Sequence, residues 1–431
     1  MYINNYPNTP KTSFKGYDAR KLSGFIMNSN YAGIASDMKK IGDIEGFKVY
    51  LFAGINDFPK LKTDDFKIEN TPAGCWAQDM WGIVKNTLVT CEDTKKSEIL
   101  KNTFNLISNP IQEKVRDRIN LNQIKDYLKT MLDLPYICVD GKSKVELTDG
   151  VFLDSKLYDA EIKINKSIYR DLCKKTHIKG GNYFLTKDKN GEDELLIGSN
   201  ELKNFKLEEL KEMFKTDKIH VIPQADYHLD LFIRPLKDKK VLVADDEMML
   251  KALNKGYNTI RDLMDELSDN EKLKYADALY EVDIVKERFK NLLKINPYAD
   301  IKEVEKALVD GGYEVIKVPA RIFDLEKDYN PAGSKTYLRP LHNYINANVH
   351  INDKGQLIYI TNNSVMDTEM GLTEEVQKMT GFSLKKIFWE AVKPHVDKVY
   401  FVSGRNNALQ NTLLRENLGG IHCVAAEVPF E

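Results

Sequence analysis

Apolar positions along this 431-residue chain recur in two alternating rhythms. SNYAGIASDMKKIG carries the three-to-four spacing of a helix, and FKVYLFAGI follows as a short apolar run, which predicts a strand. WGIVKNTLVTC predicts another strand, and charged helical segments follow over roughly residues 94–134, up to a strand at LPYICVD. In NYFLTKDKNGEDELLIGS two apolar runs flank Lys-Asn-Gly, the turn chemistry of a hairpin. IHVIPQ, LDLFIRPL and KKVLVAD predict short strands.

Residues 247–295 differ in kind. Their apolar spacing is helical throughout, which predicts a helical insertion interrupting a strand-helix repeat. The repeat resumes at IKEVEKALVDGGYEVIKVPA, a helix stopped by Gly-Gly and followed by a strand. NYINANVHIN and GQLIYITN predict a strand pair, EEVQKMTGF a helix and DKVYFVSG a strand. The recurring unit is two strands and a helix. Residues 1–20, rich in Asn, Pro, Thr and Lys, are expected to form a flexible lead to a single domain over 21–431.

Composition narrows the function. With 63 Lys+Arg against 65 Asp+Glu, the chain lacks the charge excess of a nucleic-acid binder. At 42% hydrophobic residues it has the material for a core. No run approaches a membrane span, and the N-terminus lacks a secretory apolar region. Five cysteines, odd in number and widely spaced, fit a reduced cytoplasmic protein. Neither GxGxxG nor GxxxxGK[ST] occurs, so no nucleotide cofactor is expected. Asp245-Asp246-Glu247 and Asp64-Asp65 lack the spacing of a calcium loop and are expected to be solvated acids, with no metal.

Five clusters mix aromatic, small and ionisable residues. They are Trp76 to Gly82, Lys179-Gly180-Gly181-Asn182-Tyr183, Tyr227 to Phe232, Asn343 to Asn348, and Gly419-Gly420-Ile421-His422-Cys423-Val424. On a strand, His228 and Asp230 would share one face. Asp79, between two tryptophans, is costly to bury without a cationic partner. Cys423 is either a small buried hydrophobe or, with its thiol activated, a nucleophile. Two carboxylates, a histidine and a cysteine together suit attack on a guanidinium carbon. The carboxylates accept the cation's paired N–H groups, its charge favours the thiolate, and histidine shuttles protons.

The order Trp-x-Gln-Asp, Gly-Gly-Asn-Tyr, His-x-Asp, Asn and a late His-Cys resembles the guanidino-group-modifying (pentein) superfamily. The resemblance spans roughly residues 45–430 through five short motifs, closest to peptidylarginine and agmatine deiminases. It implies an α/β fold, a five-bladed pentein propeller. It also implies Cys423 as nucleophile, His228 as general acid/base, and Asp79 and Asp230 as guanidinium-binding carboxylates. Trp76, Gly180, Gly181, Asn182 and Asn343 would line the substrate pocket, with the glycines admitting the substrate. Lys179 stands where agmatine and arginine deiminases carry Glu, which favours peptidyl arginine over a small guanidino compound. An amidinotransferase or dihydrolase would use the same four residues, and a silent pentein-fold binding protein is the alternative from another class. The expected partner is the guanidino substrate, without nucleic acid or membrane, with room for a homo-oligomer.

Overall fold

The computed structural model describes residues 21–28, 32–52, 81–84, 87–90, 137–139, 145–147, 180–188, 190–295, 300–328, 335–403 and 420–429. These residues form a mixed α/β structure of small sheets. Four sheets have three strands and one shared polarity. The middle strand pairs antiparallel with one neighbour and parallel with the other, and the parallel partner follows a helix.

The first of these sheets joins both ends of the described chain. Leu22–Asn28 lies antiparallel to Ala425–Pro429 and parallel to Lys48–Phe52, with helix Ala32–Glu45 between. In the second, Tyr183–Lys187 and Asp193–Gly198 make a hairpin and Lys218–Ile222 returns parallel after helix Leu207–Phe214. The third holds Ile233–Pro235, Lys240–Ala244 and Glu314–Val318. The fourth holds Ala347–Ile351, Leu357–Asn362 and Lys398–Val402. Three two-stranded sheets complete the set, Trp81–Val84 with Thr87–Thr90, Ile137–Val139 with Val145–Leu147, and Arg321–Asp328 with Lys335–Asn343. None closes on itself, and among the described residues four sheets, not five, have the three-stranded form.

Local chemistry accounts for several of these elements. The 183–198 hairpin turns at Gly191, whose φ of 80° suits glycine, while Asp188 Oδ1 accepts from the N–H groups of Asn190 and Glu192. Helix Asp269–Lys294 starts at a reciprocal Ser268–Glu271 cap. Helix Asp246–Asp265 starts at Asp245, which accepts from Met248 N–H at 2.8 Å. This helical pair lies in the crossover of the third sheet, ahead of helix Ile301–Asp310. No helix among the described residues is long and apolar enough to cross a membrane.

Three expected strands differ. WGIVKNTLVTC forms a hairpin rather than one strand, with Lys85-Asn86 between its arms. In NYINANVHIN one strand ends at Asn343 and the next begins at Ala347. Asn343 Oδ1 there accepts from the N–H groups of Ile345 and Asn346, at 2.9 and 3.0 Å, and so forms a turn. In LDLFIRPL the strand is only Ile233–Pro235, and Leu229–Leu231 is a 3-10 turn.

The largest apolar cluster runs from Phe184 through Leu229 and Phe232 to Tyr344, Phe388 and Phe401, beneath the 229–231 turn. A second holds Phe25, Met27, Ile421 and Val424, beneath the segment bearing Cys423. Side chains such as Phe232, fully buried, each contribute roughly 1.5–3 kcal/mol of burial.

Candidate functional site

Cys423 lies in a one-turn helix, Ile421–Val424, whose opening N–H groups find no intrahelical acceptors. Asparagines supply them. Asn362 Oδ1 accepts from Ile421 N–H at 3.0 Å and Asn346 Oδ1 from His422 N–H at 2.9 Å. Asn348 Nδ2 donates to Ile421 O at 3.3 Å. Asn362 Nδ2 in turn donates to the carbonyls of Asn343 and Asn346, at 2.9 and 3.1 Å. A Cβ on Gly420 would stand 2.5 Å from Asn346 Oδ1, so only glycine lets this amide approach the helix start.

Facing the helix is Asp230, fully buried in the 229–231 turn. Its Oδ2 accepts from His422 Nδ1 at 2.9 Å and from the Cys423 thiol at 3.1 Å. Asn346 Nδ2 donates to Cys423 Sγ at 3.2 Å. The turn is held from three sides. Asn182 Oδ1 accepts from Leu229 N–H at 3.3 Å, Asn343 Nδ2 donates to Leu231 O at 3.0 Å, and Arg321 holds Asp226 upstream at 3.0 Å. A Cβ on Gly181 would lie 2.8 Å from both carboxylate oxygens of Asp230. The missing side chain thus leaves room for the protein's own carboxylate.

Burial first, and then the adjacent Asp230 charge, push the Cys423 thiol well above its ordinary range. Burial, aided by the positive charge of Arg234, pushes the His422 imidazole well below its own. The site at rest is therefore a protonated thiol and a neutral imidazole, both directed at one carboxylate. A cation settled on that carboxylate would cancel the charge that holds the proton on sulfur.

Of the residues named from sequence, the structure brings Cys423, Asp230 and Gly181 into one cluster, with Asn182 and Asn343 supporting the Asp230 turn. Gly180, Gly181 and Asn182 form a buried 3-10 turn. His228 is half-buried at the start of the 229–231 turn, its ring 4.8 Å from that of Tyr227. The expected strand geometry for His228 and Asp230 does not hold. The backbone bonds from Leu231 to His228 and from Phe232 to Leu229 close a turn, which abolishes two-residue alternation. Asp79, Trp76, Lys179 and the acids Asp64-Asp65 lie outside the described residues.

Sequence reasoning missed His422 and Asn346. His422 was visible only as the neighbour of Cys423, and Asn346 as one of three asparagines between 343 and 348. The acidic run 245–247 is not simply solvated: Asp245 caps a helix and Asp246 makes a two-pronged pair with Arg321. Among the described residues no group of three or more His, Cys, Asp or Glu side chains is arranged to hold a metal ion.

Neither a protein family nor a curated protein matches this chain. Among solved structures it is similar to an agmatine deiminase of C. jejuni. The alignment covers 98% of this chain and 99% of that one, at 13% identity and a TM-score of 0.37. That likeness is too distant to assign any residue a role.

Proposed function

We propose that this protein is a cysteine-dependent deiminase that converts a guanidino group, with water, to a ureido group and ammonium. The observation that carries the reading is the 3.1 Å contact between Cys423 Sγ and Asp230 Oδ2, with Asn346 Nδ2 at 3.2 Å from the sulfur. A thiol whose proton is held by a carboxylate is inert until a cation takes the carboxylate. A guanidinium fits that need, being planar, permanently charged and furnished with paired N–H donors.

In this reading Asp230 and Asp79 accept the guanidinium N–H groups, the Cys423 thiol gives its proton to His228, and the resulting thiolate adds to the guanidinium carbon. A terminal nitrogen takes a proton from His228 and leaves as ammonia, so that one C–N bond breaks as one C–S bond forms. Water, deprotonated by His228, then adds to the thiouronium carbon. The C–S bond breaks, His228 returns its proton to the sulfur, and the new hydroxyl loses its proton to the released ammonia, which leaves the ureido product and ammonium. Trp76, Gly180, Gly181, Asn182 and Asn343 shape the pocket, and peptidyl arginine is the first choice of substrate. The same reading takes the sheets as blades of a five-bladed pentein propeller. The shared polarity of four sheets, one built from both ends of the described chain, supports it.

The test is incubation with peptidyl-arginine, free arginine and agmatine, with ureido product and ammonia both assayed beside Cys423→Ala. Product from at least one substrate that disappears in the variant is expected. No product from any, with Cys423 also inert to a haloacetamidine, would move the assignment to a silent binding protein.

A further inference from the structure

Outside the Cys423–Asp230 cluster, Arg321, 2% exposed, sits between two buried carboxylates, Asp226 and Asp246. It starts the strand Arg321–Asp328 and divides its guanidinium between two elements. Nε and Nη2 each donate to Asp246 at 2.8 Å, and Asp246 is the first residue of the helical pair. Nη1 donates to Asp226 Oδ2 at 3.0 Å, two residues before His228 and four before Asp230. Asp226 also accepts through Oδ1 from Tyr227 N–H at 2.7 Å, and its carbonyl accepts from Gln224 Nε2 at 2.6 Å. Both carboxylate oxygens of Asp226 are thereby fixed. The segment leading into the 229–231 turn has one orientation.

The turn's other anchors, Asn182 and Asn343, are neutral amides on neighbouring segments. Arg321 alone among these anchors is charged, and alone reaches the helical pair. A planar fork satisfying two carboxylates on different elements fixes their mutual angle as well as their distance.

We propose that Arg321 is a positioning residue, which sets the 229–231 turn through Asp226 and ties its placement to the helical pair through Asp246. The proposal rests on the deiminase reading of the site, because it supposes that Asp230 receives a cation.

The test compares two near-isosteric alkylating agents, cationic chloroacetamidine and neutral chloroacetamide, with labelling read at Cys423 by peptide mass spectrometry. Wild-type protein is expected to favour the amidine, because only the amidine meets Asp230. Arg321→Lys keeps the charge and loses the fork. Its amidine-to-amide ratio should fall about tenfold or more, with the chloroacetamide rate held within about threefold. Asp226→Asn, which offers one acceptor oxygen where Tyr227 N–H and Arg321 bind two, should lower the ratio in the same direction, as should Asp246→Asn. Should Arg321→Lys fail to fold, Asp226→Asn decides. Folded Arg321→Lys or Asp226→Asn with the wild-type ratio would overturn the positioning role. A wild-type ratio near one would instead sink the deiminase reading beneath it, and the wild-type arm alone reveals that.

Discussion

Arg234 lies four residues beyond Asp230 and Glu427 four beyond Cys423, and the two form an ion pair at 2.8 Å. The segments that meet at the thiol therefore meet again one strand-length away. Arg234 is 4% exposed, with its guanidinium carbon 5.1 Å above the Phe184 ring, and Phe184 lies 5.3 Å from His422. Its Nε and Nη1 have no hydrogen-bond partner among the described residues, so Glu427 is the anion that compensates it there. Glu427→Gln should strand a buried cation and cost about 3 kcal/mol in urea unfolding. Arg234→Met keeps the contact with Phe184 and removes the buried charge, leaving a Glu427 that water partly reaches. It should cost less. The reverse order would mean that the pair is not what holds these segments together.

Gly181 gives a sharper test of the Asp230 position. An added methyl would come within 2.8 Å of a carboxylate already held by His422 and Cys423. Gly181→Ala must move either the Gly180–Asn182 turn or the carboxylate, at about 1–3 kcal/mol of overpacking. Its amidine-to-amide labelling ratio at Cys423 should drop. A folded variant with the wild-type ratio would show that the turn yields and Asp230 does not move.

How much of this was legible in the sequence depended on range. The hairpin at 183–198 was readable because Lys-Asn-Gly puts a glycine where φ must be positive, at Gly191. The helical pair was readable because its apolar spacing holds over two long helices. Asp230 and Cys423 were nominated by residue type, yet their contact joins positions 193 apart, which no local pattern encodes. The strand expectation for His228 failed for a local reason. An apolar run such as LDLF serves a turn packed on a core as well as a strand, and Asn343 from another sheet donates to the turn at Leu231 O. Asn346 was hidden among Asn343 and Asn348 because the turn that selects it is built by Asn343 itself.

The thiol's proton affinity should report on Asp230. Burial and the Asp230 charge both raise it, so alkylation of Cys423 by neutral iodoacetamide should inflect well above the ordinary thiol range of about 8.5. Asp230→Asn removes the charge and leaves the burial. Its inflection should move down toward that range while turnover of any guanidino substrate is lost. Under the proposed deiminase reading, a more reactive thiol with turnover lost is the signature of a carboxylate that holds the cation. An unchanged inflection would mean that burial alone sets the thiol.

Stability should carry a separate pH signature from Asp226. Burial raises its carboxyl from 3.8 to about 7, against the lowering charge of Arg321 and with Asp246 adding to the rise. The folded protein thus keeps a proton there that the unfolded chain releases near pH 4. The native state loses stability as pH climbs from about 4 to about 7, and the loss is complete above that. His342 acts in the opposite sense. It is fully buried with no partner for either ring nitrogen among the described residues, its ring 4.2 Å from that of Tyr344. Burial lowers it from 6.5 to about 3, so protonation of the unfolded chain costs stability as pH falls below about 6.5. In wild-type protein the two slopes overlap and partly cancel. Asp226→Asn should remove only the first, so that wild-type minus variant stability, by urea unfolding, declines steadily between pH 4 and 7 and is flat at pH 8. A difference that stays level across the window would place the proton elsewhere in the Arg321 cluster, with Asp226 ionised throughout.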